Sequence, residues 1–209
     1  MPFALNAEGR GEPPARGGDQ VLLWAFSDRR HGRVPDTVSA IGITVANPHK
    51  GRGISGKMLT ALRENARTHG FGEVVAPVRP NTKHLEPLAP MDEYALRTRR
   101  ADGLPHDPWL RVHVRAGGTV QAVAPASMTV SGSLAQWREW TGLAFDADGP
   151  VEVPGALAPV HCETRGGDAV YVEPMRGCAT VCERAGDTGP GRPSPSDGLP
   201  GPAVLRFCG

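Results

Sequence analysis

Between Gly51 and Lys57 the chain reads Gly-Arg-Gly-Ile-Ser-Gly-Lys, at the point where a β-branched run gives way to helical spacing. These residues suit the holding of a phosphate or pyrophosphate. Glycine opens backbone conformations closed to other residues and lets a ligand approach the main chain closely. The first N–H groups of the following helix have no intrahelical partner, so they point at the bound anion and the helix dipole adds partial positive charge. Lys50, Arg52 and Lys57 bring cations that either reach phosphate or stay solvated. Further along, His84, Glu86, Glu93 and His113 have the chemistry to take a proton from an amine through water. Cys162, Cys178, Cys182 and Cys208 include no C-x-x-C pair. Cys178 and Cys182 have the spacing of one helix face and His161 adjoins Cys162, so a zinc site stands as a minor alternative to free thiols in a reducing compartment.

The elements that must position these groups can be read from periodicity. Thr37 to Val45 reads as a buried strand entering the glycine turn. Ser55 to His69 reads as a helix with Met58, Leu59, Leu62 and Ala66 on one face, closed by Gly70. Val74 to Val78 is a second buried strand, after which Arg79-Pro80-Asn81 forces a change of direction. A helix is expected from Met91 to Arg100, an alternating strand from Trp109 to Arg115, and a further strand from Thr119 to Val123 after Gly117-Gly118. Ser131-Gly-Ser133 caps a helix carrying Trp137 and Trp140 on one face, for packing or for a pocket wall. Val151 to Val153, Leu157 to His161 and Ala169 to Val172 are late strands. Residues 1–18 read as loop, Asp19 to Gly32 as a short amphipathic helix, and the Gly/Pro-rich stretch from about Glu183 as disordered.

The 209 residues carry a net charge of +1, which argues against a general nucleic-acid surface. The basic runs at Arg29-Arg30-His31 and Arg97-Thr98-Arg99-Arg100 lack interleaved aromatics for stacking bases. No apolar run is long enough to cross a bilayer and no signal-peptide pattern opens the chain, so the cytoplasm is the expected compartment.

Lys50-Gly51-Arg52-Gly53-Ile54-Ser55, preceded by a strand and by Asn47-Pro48, resembles the pyrophosphate signature of the GCN5-related N-acetyltransferases, with Lys50 and Ser55 as departures from it. Gly51 to Lys57 also fits the P-loop pattern, but Met58 stands where that family has a magnesium-ligating hydroxyl. The first resemblance implies an α/β (α+β) fold: a mixed, partly splayed sheet flanked by helices, with pantetheine in the gap between the cradle strand and the next. It covers about residues 34–130 well and extends more weakly to 173. A short loop and helix over 1–33 precede that core, and a Gly/Pro-rich tail over 174–209 follows it.

The resemblance also implies roles. The backbone of Ile43, Thr44 and Val45 would meet pantetheine, and that of Gly51, Arg52, Gly53, Ile54, Ser55 and Gly56 the pyrophosphate, with Lys50 beside it and Asn81 on the pantetheine arm. Tyr94, on the helix after the second strand, would protonate the leaving thiolate. Glu86 or His84 would serve as base. The implied activity is transfer of an acetyl or related acyl group from acyl-CoA to an amine, small-molecule or protein-borne, with no metal. Alternatives are a catalytically degenerate CoA- or partner-binding module, a transferase using aminoacyl-tRNA or a carrier-protein thioester, and a P-loop nucleotide binder. Only 36 residues precede Thr37, fewer than the family's strand, two helices and two strands require. An N-terminally incomplete core is therefore expected, with a bare cradle-strand edge able to aggregate or form a homodimer.

Overall fold

The computed structural model describes residues 1–11 and 14–181. In chain order its elements are β1 (Pro2–Phe3), α1 (Gly17–Arg30), β2 (Thr37–Ser39), α2 (Ile54–Thr68), β3 (Glu73–Val78), α3 (Met91–Leu96), α4 (Pro108–Arg115), β4 (Thr119–Ser133), α5 (Leu134–Thr141), β5 (Gly149–Val151), β6 (Val160–Glu163) and β7 (Asp168–Val181). The strands form one mixed sheet in the order β1-β2-β3-β7-β6-β5, with β4 on the other edge of β7.

The expected strand, helix, strand unit is present. β2 and β3 are parallel, Val38 opposite Val74 and Ser39 opposite Val75, and α2 connects them. The cradle strand is shorter than its apolar run suggested, because the ladder ends when Ala40 N–H donates to the Val75 carbonyl at 2.9 Å. The next donor of a parallel ladder would be the N–H of residue 77, and that residue is proline. Beyond Ala40 the chain leaves the sheet, whereas β3 continues to Val78 and is held on its other edge by β7.

Side-chain alternation along β3 puts helices on both sheet faces. Val74 packs with Ala66 of α2, and Ala76 and Val78 pack with Met91, Ala95 and Leu110 of α3 and α4. Val75 faces the other way, onto Phe3, Leu5, Val21 and Ala25. Leu134, Trp137, Phe145, Val160 and Cys162 build a separate cluster around the α5, β5 and β6 excursion.

Several expectations are corrected. Trp109 to Arg115 is helix α4, not a strand: Asp107 accepts from the N–H groups of Trp109 and Leu110 at 2.8 and 3.1 Å, and Pro108 fills the first helical position. The helix from Met91 stops at Leu96, and extended backbone follows at Arg97. Met58 is exposed; Leu59 and Ala66 carry the buried face of α2. β4 runs ten residues past Val123, with register shifts on the way. β7 continues to Val181, beyond the expected core boundary at 173, so Cys178 lies on a strand rather than a helix. Residues 182–209, including Cys182 and Cys208, lie outside the described residues.

Residues 1–18 are not merely loop. Phe3, Ala4 and Leu5 are buried, and β1 pairs with β2. The Met1 carbonyl accepts from Ser39 N–H at 2.8 Å, so this segment occupies the cradle-strand edge that was expected to be bare. Asp28 fastens it, accepting from Ala4 N–H at 2.8 Å and from both terminal nitrogens of Arg10 at 2.8 and 2.9 Å.

Candidate active site

Where β2 leaves β3, the structure opens a cleft of about 560 Å³. One wall is the departing chain and the glycine turn, with Ile43, Val45, Lys50, Gly51, Gly53, Ile54 and Ser55. The other is the exit of β3 and the start of α4, with Arg79, Pro80, Asn81, Pro108, Trp109 and Val112. Gly53 is the N-cap of α2 at φ 69°, and no side chain caps that terminus. Its orphan N–H groups are therefore open to a ligand. A Cβ added at Gly51 or Gly53 meets no atom within 4 Å, although both glycines have left-handed φ, 77° and 69°. These glycines thus answer to backbone conformation and open space, as a backbone anion cradle requires. Thr44, Arg52 and Gly56 do not line the cleft, and Arg52 instead meets His49 Nδ1 at 3.2 Å. His49 itself joins the lining, a position the sequence reading did not single out.

No family model matches the chain. Over 180 residues, 77% of this chain, it is 34% identical to the arginine N-acetyltransferase avaD of Aspergillus versicolor. The chain is thus similar to an N-acetyltransferase. It spans 62% of that relative's length. Among solved structures, the loading GNATL domain of CurA from Lyngbya majuscula superposes with a TM-score of 0.48 at 14% identity, over 79% of this chain and 62% of that one.

The remaining site candidates are placed unevenly. Tyr94 is buried behind the cleft rather than lining it. Its hydroxyl lies 2.7 Å from Thr82 Oγ1 and donates to Asp107 Oδ2 at 3.0 Å. Lys83 Nζ and the Arg97 guanidinium carbon lie 5.9 and 5.3 Å from its ring centroid. Burial, reinforced by the Asp107 carboxylate, pushes its pKa up to about 12. Glu86 is exposed and paired with Arg97 at 2.7 Å, and that bond holds its carboxyl below the usual range. His84 sits on a one-turn 3-10 helix past the β3 exit and Glu93 on α3; neither lines the cleft. His113 is buried on α4 behind Trp109, ring centroids 4.5 Å apart, and burial pushes its pKa down to about 4. Trp137 is buried with its Nε1 donating to the Ala169 carbonyl at 2.7 Å, and neither it nor Trp140 reaches the cleft.

Sequence reading overlooked a second group at this site. Glu173, 2% exposed, accepts two bonds of 3.1 Å from Arg79 Nε and one of 2.6 Å from the Tyr171 hydroxyl. The only signal was a glutamate in a long apolar strand, which normally has a buried partner. Among the described residues no three His, Cys, Asp or Glu side chains come together as a metal group, and no helix is long and apolar enough to cross a membrane.

Proposed function

We propose that this chain transfers an acyl group from an acyl-CoA to an amine of arginine or of an arginine-bearing compound. The carrying observation is the uncapped N-terminus of α2 facing the cleft formed where the β2–β3 ladder stops. Its N–H groups would receive pyrophosphate, with Lys50 adding charge. The backbone of Ile43 to Val45, beyond the end of the β2 ladder, would receive the pantetheine amides, and Asn81 would contact the same arm from the opposite wall. CoA thioester and amine are thereby held in one cleft, which supplies proximity. The acceptor class is carried over from the name of the avaD relative.

Two solution measurements test this reading. Saturating CoA should raise the thermal midpoint, by about 2.7 kcal/mol of stabilisation at ~100 times its dissociation constant. Gly53→Glu should abolish that shift by placing a carboxylate at the cradle. Mg²⁺-ATP should do far less; equal effects of the two ligands would favour the P-loop alternative. Thiol release from acetyl-CoA should then depend on added arginine. CoA binding without any acceptor-dependent release would leave only the binding-module alternative.

A further inference from the structure

Arg79 is the cation at the β3 exit, on the wall of the cleft opposite the glycine turn. Two of its three guanidinium nitrogens are engaged. Nε donates to both oxygens of the buried Glu173 carboxylate at 3.1 Å, and Nη2 donates to the Gly155 carbonyl at 2.6 Å. Glu173 is fixed in turn by the Tyr171 hydroxyl at 2.6 Å, which accepts from Leu157 N–H at 3.0 Å. This chain of bonds orients the planar fork and leaves Nη1 with no hydrogen bond among the described residues, while the Arg79 side chain remains 42% exposed. A guanidinium held this way is a preorganised donor for a carboxylate or carbonyl oxygen. No acidic side chain lines the cleft among the described residues, so nothing there competes for it.

The geometry points to Arg79 as a specificity residue for the acceptor, its Nη1 reading a carbonyl-type oxygen next to the reacting amine's carbon skeleton. The acceptor class is thus an amino acid, or an amino-acid unit within a peptide, rather than a simple amine. This inference rests on the reading of the chain as an arginine-type acyltransferase. It adds the part of the acceptor that is recognised, and the residue that recognises it.

The test compares arginine, argininamide and agmatine, the decarboxylated analogue, as ligands of the CoA-saturated protein by titration calorimetry. Arginine should bind about 10- to 100-fold more tightly than agmatine, the value of a charge-assisted hydrogen bond. Arg79→Gln should erase that difference while leaving the dissociation constant of CoA unchanged. Arg79→Lys keeps a cation beside Glu173 in case the neutral variant folds poorly, and it should lose most of the discrimination because lysine cannot hold the carboxylate and present a second fixed donor. Argininamide distinguishes the two oxygen sources: binding like arginine assigns an amide carbonyl, and binding intermediate between arginine and agmatine assigns the carboxylate. Equal binding of arginine and agmatine by the unmodified protein overturns the inference alone. So does an equal loss of CoA affinity in either variant, which would put Arg79 on the donor. If none of the three ligands binds while CoA still does, the arginine reading of the acceptor fails and this inference fails with it.

Discussion

The Tyr94 hydroxyl donates to Asp107 Oδ2 at 3.0 Å, while Oδ1 of the same carboxylate accepts both first-turn N–H groups of α4. One buried carboxylate therefore ties α3, the Thr82 turn and α4 together just behind the cleft wall formed by Trp109 and Val112. With its hydroxyl so engaged, Tyr94 is expected to position α3 against α4 rather than to deliver a proton. Tyr94→Phe should cost about 1–2 kcal/mol, because Asp107 keeps its bonds to Thr82. Turnover should stay within a few-fold of the unmodified protein and its pH profile should not move. Urea denaturation and a pH–rate series check this; a hundredfold loss of turnover at unchanged stability would make Tyr94 a proton donor instead.

Removing the carboxylate is the harsher change. Asp107→Ala deletes the α4 cap and leaves the Thr82 N–H and the Tyr94 hydroxyl without their acceptor, so a loss of about 2–4 kcal/mol is expected. Because α4 carries Trp109 into the cleft, CoA affinity should weaken alongside stability. Denaturant midpoints and CoA titration measure both. Weakened binding with intact stability would contradict the positioning argument.

The glycine turn and the helix it opens were legible because they are local. Glycines, cations and helical spacing at Gly51 to Lys57 lie within seven consecutive residues, and the parallel pairing of β2 with β3 followed from a short crossover. The splay was expected from the family resemblance, and Pro77 marks where it begins by interrupting the β2–β3 ladder, although the apolar run of Ile41 to Val45 hid that point. Trp109 to Arg115 satisfies both periodicities, and the Asp107-Pro108 start was the deciding signal. The Arg79–Glu173 pair was not legible, because its partners stand 94 positions apart in the chain.

The N-terminal clamp should give the protein an acid limit. Bonds from Arg10, together with the Ala4 N–H, hold the Asp28 carboxyl below its usual value of 3.8 against the opposing effect of burial. A folded pKa below the unfolded one contributes stability that is fully present above about pH 3.8 and lost as pH falls through the folded value. Asp28→Asn should cost about 3 kcal/mol at neutral pH, since it leaves the Arg10 guanidinium, 10% exposed, without its carboxylate. It should also flatten this part of the stability profile. Amide exchange at Phe3 to Leu5 reports the release directly, and unchanged protection there in the variant would mean that β1 holds without the clamp.

His113 predicts a second and separate pH window. Its imidazole is buried on α4 against Trp109, and it lines a small void with Ala40, Leu59 and Ala76, where Arg63 is the one other charged group among the residues lining it. Burial lowers its pKa from 6.5 to about 4. Between those values the unfolded chain binds a proton that the folded chain refuses, so stability rises with pH across the window. It is complete above about pH 6.5 and is lost on acidification toward pH 4, by about 3 kcal/mol in total. His113→Phe keeps an aromatic ring against Trp109 and cannot titrate, so its stability should be flat from pH 4 to 6.5 while the Asp28 limit below pH 3.8 remains. Chemical denaturation at half-unit pH intervals resolves the two. A slope that survives in His113→Phe would assign the window to another group.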